Sequence, residues 1–145
     1  SARGTFIGMT MDTSRADMLQ AVLEGVAFAI RDSFEVARSL GIAIPRSMIC
    51  GGGSKSPLWR QMIADILGIP LDIPVTEQGP GYGGAMLAMV ACGVFERVQQ
   101  AAEKLIHVKD TVQPDPERMA LYEKRYQQFR QIYPACRELF KVLER

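Results

Sequence analysis

Residues 50–57, Cys-Gly-Gly-Gly-Ser-Lys-Ser-Pro, constrain this chain more than any other stretch. Three consecutive glycines lack Cβ atoms, so the backbone there reaches angles closed to other residues and admits a second group close to the main chain. Before them stands a short apolar run, residues 47–50, that fits a buried strand. After them come Ser56, whose hydroxyl can cap exposed backbone N–H groups, and Pro57, which suits the first helical position because a missing N–H costs nothing there. Leu58, Met62, Ile66 and Leu67 continue at helical spacing until Gly68. A strand, a glycine turn and a capped helix place bare N–H groups at the positive end of a helix dipole, an arrangement that holds phosphate. The spacing is neither the dinucleotide fingerprint nor the Walker A pattern. Taken alone, the triplet therefore reads more readily as a connection than as a nucleotide site, and Lys55 as a solvated lysine rather than a phosphate ligand.

The flanking sequence predicts more helix than strand. Residues 14–40 place Met18, Val22, Val26, Ala29, Ile30, Phe34, Ala37 and Leu40 at helical spacing, with Ser14 and Asp17 as a capping box and Gly41 just past the end. Gly25, in mid-helix, costs about 1 kcal/mol relative to alanine, so it predicts close approach by a neighbouring element. Residues 69–75, bounded by Pro70 and Pro74, read as a short second strand. Residues 77–93 approach a helix whose Gly84, Ala85, Ala88 and Ala91 recur every three or four positions, a face suited to backbone-to-backbone packing. A further amphipathic helix is predicted over 96–106. Asp115-Pro116 caps a last one carrying Leu121, Tyr122, Tyr126 and Phe129, and Pro134 is expected to kink or restart it.

Composition narrows the function classes. Seventeen basic and sixteen acidic residues are dispersed over 145 positions, with a formal charge of +1 and no block of like charge, which argues against nucleic acid or a membrane as partner. No apolar run approaches the roughly 20 residues a membrane span requires. Together these predict a soluble cytoplasmic protein with one core. Cys50, Cys92 and Cys136 are odd in number and widely separated, predicting buried reduced thiols. The chain opens Ser1-Ala2-Arg3 without methionine, which implies processing or excision from something larger.

The segment GTFIGMTMDTSRADMLQAVLEGVAF, residues 4–28, resembles the second signature of the FGGY carbohydrate kinases at Gly4, Phe6, Gly8, Met9, Asp17, Met18, Ala21, Val22, Leu23 and Glu24. Residues 51–74 resemble the family's adenosine motif with its following helix, and residues 81–93 its small-residue helix. Residues 112–140 are similar to the C-terminal helices of the xylulokinase branch. Several motifs in the right order over practically the whole chain are far more specific than any one.

This resemblance implies an α/β fold: part of a ribonuclease-H-like, actin-like ATPase domain, helix-rich, with a short sheet of few strands. Residues 1–145 would be the C-terminal portion of the nucleotide-binding lobe of a two-lobe kinase. That enzyme would transfer the γ-phosphoryl group of ATP, with Mg²⁺, to a sugar, xylulose being the expected one. Gly51 would complete the turn, Gly52 and Gly53 would lie along the adenosine and α-phosphate, and Ser56 would stand near the adenine, where some relatives carry asparagine. The aspartate base, the phosphate and Mg²⁺ ligands and the sugar contacts would lie elsewhere, so no catalytic residue is assigned and the isolated chain is expected to be inactive. Asp12, Asp17, Asp32, Asp65 and Asp72 are read as caps, solvated residues and strand edges. Weak ATP or ADP binding, or self-association as a homodimer through exposed strand edges and an apolar helix face, are the alternative roles. A dinucleotide-binding domain fits less well, because its acidic ribose residue is only loosely met by Asp72.

Overall fold

The computed structural model describes residues 2–76 and 79–143. Among the described residues there are five α-helices and a three-stranded sheet whose strands lie side by side in chain order. Residues 2–13 form neither helix nor strand. Helix α1, Arg15–Ser39, opens on the expected capping box: Ser14 Oγ accepts from Asp17 N–H at 3.2 Å, and Asp17 Oδ2 accepts from Ser14 N–H at 2.9 Å. It ends where Gly41, at φ +80°, turns left-handed and lets Ile42 N–H reach back to Ala37 O.

Strand β1, Ser47–Met48, lies beside β2, Leu71–Pro74, in parallel, with Ser47 opposite Leu71 and Met48 opposite Asp72. A parallel pair requires a crossover. It is supplied by a 3₁₀ turn, Gly52–Lys55, and helix α2, Pro57–Leu67. Strand β3, Val108–Val112, joins the other side of β2 antiparallel, pairing Leu71 with Val112 and Ile73 with Asp110 and slipping register at Pro74. Between β2 and β3 come α3, Gly79–Ala91, and α4, Val98–Leu105. Helix α5, Pro116–Val142, closes the chain.

The core lies where α1, α2 and α5 meet: Ala27 and Phe28, Met62 to Leu67 apart from Asp65, Ile69, Leu71, Tyr122 and Tyr126. Phe28 is its aromatic hub, with ring centroids of Tyr122, Tyr126 and Phe129 between 5.3 and 6.2 Å away. Charged groups clamp the helices from the rim, with Arg125 donating to Glu24 at 2.6 Å and Arg31 to Glu123. Asp65 is wholly enclosed, and its Oδ1 accepts from Gln61 Nε2 and from Asp115 N–H. It ties α2 to the start of α5.

Several expectations need correction. The inward face of α1 is Leu23, Ala27, Phe28, Ile30 and Phe34, whereas Val22 and Val26 are about half exposed. A helix apolar on two sides can bury either, and the aromatic residues of α5 select the side carrying Phe28. Among the described residues β1 is an edge strand with Met48 partly exposed, not a buried one, although Ile49 N–H still bonds Asp72 O. A Cβ at Gly25 or Gly84 would find nothing within 4 Å, Ala85, Ala88 and Ala91 are exposed, and Met86 is the buried residue of α3. Cys50 and Cys92 are exposed, Cys136 is partly so, and all three are free thiols. Helix α5 runs through Pro134 without a break. The predicted approach to α3 includes residues 77 and 78, which lie outside the described residues.

Candidate functional site

The glycine turn is built by hydrogen bonds from its own residues. Gly51 sits at φ +88°, a left-handed angle that a Cβ would strain. Its carbonyl accepts twice from buried Ser54, from N–H at 3.1 Å and from Oγ at 2.6 Å. Gly53 O accepts from Ser56 N–H at 3.2 Å, and Ser56 Oγ accepts from Trp59 N–H at 3.3 Å, so the turn passes directly into the capped start of α2. The sequence-derived cap and first-turn proline are both in place.

The three glycines differ in what lies beside them. A Cβ at Gly51 or Gly52 would meet no atom within 4 Å, so their backbone is open to an approaching group. At Gly53 the Cβ position lies 3.0 Å from Trp59 Nε1 and 3.2 Å from Trp59 Cδ1. Sequence reasoning missed that indole. The signal was present, because Cα–Cβ bonds in a helix tilt toward its N-terminus, so a large residue in the first turn reaches back over the preceding turn.

Beside the turn opens a cavity of about 380 Å³, walled by Cys50, Ser54, Lys55 and Arg60 on one side and by Ile73–Val75, Lys109 and Asp110 on the other. It lies where β1 and β2 end, the edge at which open α/β sheets take ligands. Lys55, Arg60 and Lys109 outweigh Asp110 in its wall, and the Nε of Arg60 is buried without a hydrogen-bond partner. Lys109 and Asp110 come from β3, a strand absent from the sequence-based expectation.

Two of the carboxylates are bound into structural roles. Asp72 accepts from Arg46 Nη2 at 2.8 Å and Thr111 Oγ1 at 2.7 Å. The Thr111 hydroxyl holds its carboxyl below the ordinary range, against burial and with help from Arg46. It stitches β2 to β3 and to Arg46, the residue just before β1. Asp17, lowered by its bonds to Ser14, caps α1. Among the described residues no group of three His, Cys, Asp or Glu side chains is disposed to hold a metal ion, and no helix is long and apolar enough to cross a membrane.

Comparison with known proteins bears on this geometry. The family described as FGGY family of carbohydrate kinases, C-terminal domain, matches residues 1–92. The xylulose kinase of Staphylococcus epidermidis is 34% identical over 137 residues, covering 94% of this chain and 28% of that protein. The xylulose kinase of Bacillus subtilis is 33% identical over 144 residues, covering 99% of this chain and 29% of its own length. The chain thus spans under a third of these relatives. Among solved structures, xylulose kinase from Rhodospirillum rubrum superposes with a TM-score of 0.82 at 28% identity, over 97% of this chain and 28% of that one. Ligand-bound xylulose kinase from Lactobacillus acidophilus gives 0.83 at 25% identity, over 99% and 29%. The fold is that of the actin-like ATPases, and with its glycine turn, its crossover helix and these matches together the chain belongs to the FGGY family of carbohydrate kinases.

Proposed function

We propose that the chain supplies the adenosine-binding wall of an ATP-dependent sugar kinase whose substrate is a ketose, with xylulose favoured by the names of its relatives. The observation that carries this reading is the open backbone of Gly51 and Gly52 at the head of α2, where no atom lies within 4 Å of either Cβ position. Gly52 and Gly53 run along the adenosine and α-phosphate, and Gly51 sets the turn. Ser56 spends one oxygen lone pair on Trp59 N–H, which leaves its O–H free to donate toward the adenine.

Phosphoryl transfer depends on positioning and charge stabilisation around the transferred group. The internal bonding of Asp65 and Asp72 leaves neither disposed to act as the base that accepts a sugar proton. The base, the Mg²⁺ ligands and the sugar contacts belong to the portion of the kinase that this chain does not span. The chain is accordingly the C-terminal part of the nucleotide-binding lobe, and nucleotide binding by it alone is weak.

Titrating the chain with ADP, by calorimetry and by thermal shift, tests this. Weak saturable heat is expected, and ligand at 100 times its Kd would stabilise the fold by about 2.7 kcal/mol. Neither heat nor shift at millimolar ADP would reject the reading. Incubation with xylulose, ATP and Mg²⁺ is expected to yield no sugar phosphate above a no-protein control; product would mean that the chain holds more than a wall.

A further inference from the structure

We infer that Trp59 is the positioning residue of the glycine turn: its indole fixes the Gly53 peptide at the spacing a nucleotide requires. This rests on the nucleotide reading above.

Trp59 contacts the turn through its backbone and through its ring. Its backbone N–H bonds Ser56 Oγ at 3.3 Å, and Ser56 N–H bonds Gly53 O at 3.2 Å. Its ring lies against the turn at Gly53, with Nε1 and Cδ1 at 3.0 and 3.2 Å from where a Gly53 Cβ would stand. The ring is itself anchored, being partly buried and packed against the core cluster. Gly53 is therefore glycine for a different reason from Gly51 and Gly52. Gly51 needs its left-handed angle and Gly52 faces open space, whereas at Gly53 a ring already occupies the side-chain position. A rigid aromatic with few rotatable bonds, seated on the core, transmits the core's order to a turn whose glycines have no side chains with which to hold themselves. Ser54 locks the same turn from within through its two bonds to Gly51 O.

Trp59 is also the chain's one tryptophan, so its emission reports on this contact without interference. The test is ADP titration of the wild type, Trp59→Ala, Trp59→Phe, Gly53→Ala and Leu58→Ala, followed by calorimetry, by indole emission where the ring is present, and by melting temperature.

The wild type is expected to bind with an emission change that saturates at the calorimetric Kd. Trp59→Ala should weaken binding about tenfold, which corresponds to about 1.4 kcal/mol of binding free energy. Trp59→Phe should restore most of that loss, and Leu58→Ala, at the exposed neighbouring position, should leave binding unchanged. Gly53→Ala, whose Cβ would stand 3.0 Å from the indole Nε1, is expected to shift the emission before any ligand is added and to weaken binding to a similar extent; it also serves if Trp59→Ala does not fold. Unchanged affinity in Trp59→Ala overturns the inference, as does a Trp59→Phe variant as weak as the alanine, or a Gly53→Ala variant with wild-type emission. A wild type that binds while the variants match it sinks this inference alone. A wild type that does not bind sinks the nucleotide reading and this inference with it.

Discussion

Tyr126 shows how a single side chain carries charge sensitivity into the core. Its ring is 1% exposed, its hydroxyl donates to Asp32 Oδ1 at 2.5 Å, and the Arg31 guanidinium sits 4.0 Å above the ring. Burial first, and then the Asp32 carboxylate, push its pKa from 10.0 up to about 12. The fold favours the neutral phenol. Its stabilisation is therefore complete below pH 10 and is lost as pH rises toward 12. Urea midpoints measured across that window should fall with pH, and Tyr126→Phe should flatten the fall without abolishing it, because Tyr122 is shifted in the same direction by burial and Glu24. An equally steep fall in Tyr126→Phe would show that the phenol is not the titrating group. The same scale marks a limit of sequence reading. Asp65 and Asp72 look like surface carboxylates in a list of residues, and only partners distant in sequence, Asp115 N–H for the one and Arg46 and Thr111 for the other, make them buried clamps.

At the scale of elements, local signals were read correctly wherever the deciding interaction is local. The caps at Ser14, Ser56 and Asp115 and the left-handed ends at Gly41 and Gly68 each need only neighbours within five residues, and all are present. Ser56→Ala removes the acceptor for Trp59 N–H and should cost about 1 kcal/mol of unfolding free energy, measurable by urea denaturation; a loss below a few tenths would mean that solvent caps α2 equally well. Strand β3 was missed for the converse reason. Its sequence, Val-Lys-Asp-Thr-Val, has weak apolar alternation, and it becomes a strand because β2 presents a free edge to pair with. Pro134 is a local signal that was outweighed. Proline deletes one hydrogen bond of α5, yet the segment beyond it is retained with Phe140 buried and its ring centroid 6.2 Å from that of Tyr133.

On the scale of the molecule, the described residues leave two apolar surfaces uncovered. Leu19, Val22 and Val26 project from one side of α1, and Phe6, Ile7 and Met9 lie exposed in the segment before it. Patches of this kind mark contact surfaces. The chain alone is expected to self-associate, so sedimentation at increasing concentration should show mass above the monomer; a clean monomer at high concentration would contradict this. By itself the sequence determined the helix caps at Ser14, Ser56 and Asp115, the strand-turn-helix unit at residues 47–67 and, through the order of its motifs, the family, because each depends on short-range geometry or on residue identity. Tertiary structure alone decided which side of α1 is core, that β3 exists, that Cys50 and Cys92 are exposed, and that Trp59 stands against Gly53. Those outcomes depend on which surfaces compete for burial, and that competition is settled between segments far apart in the chain.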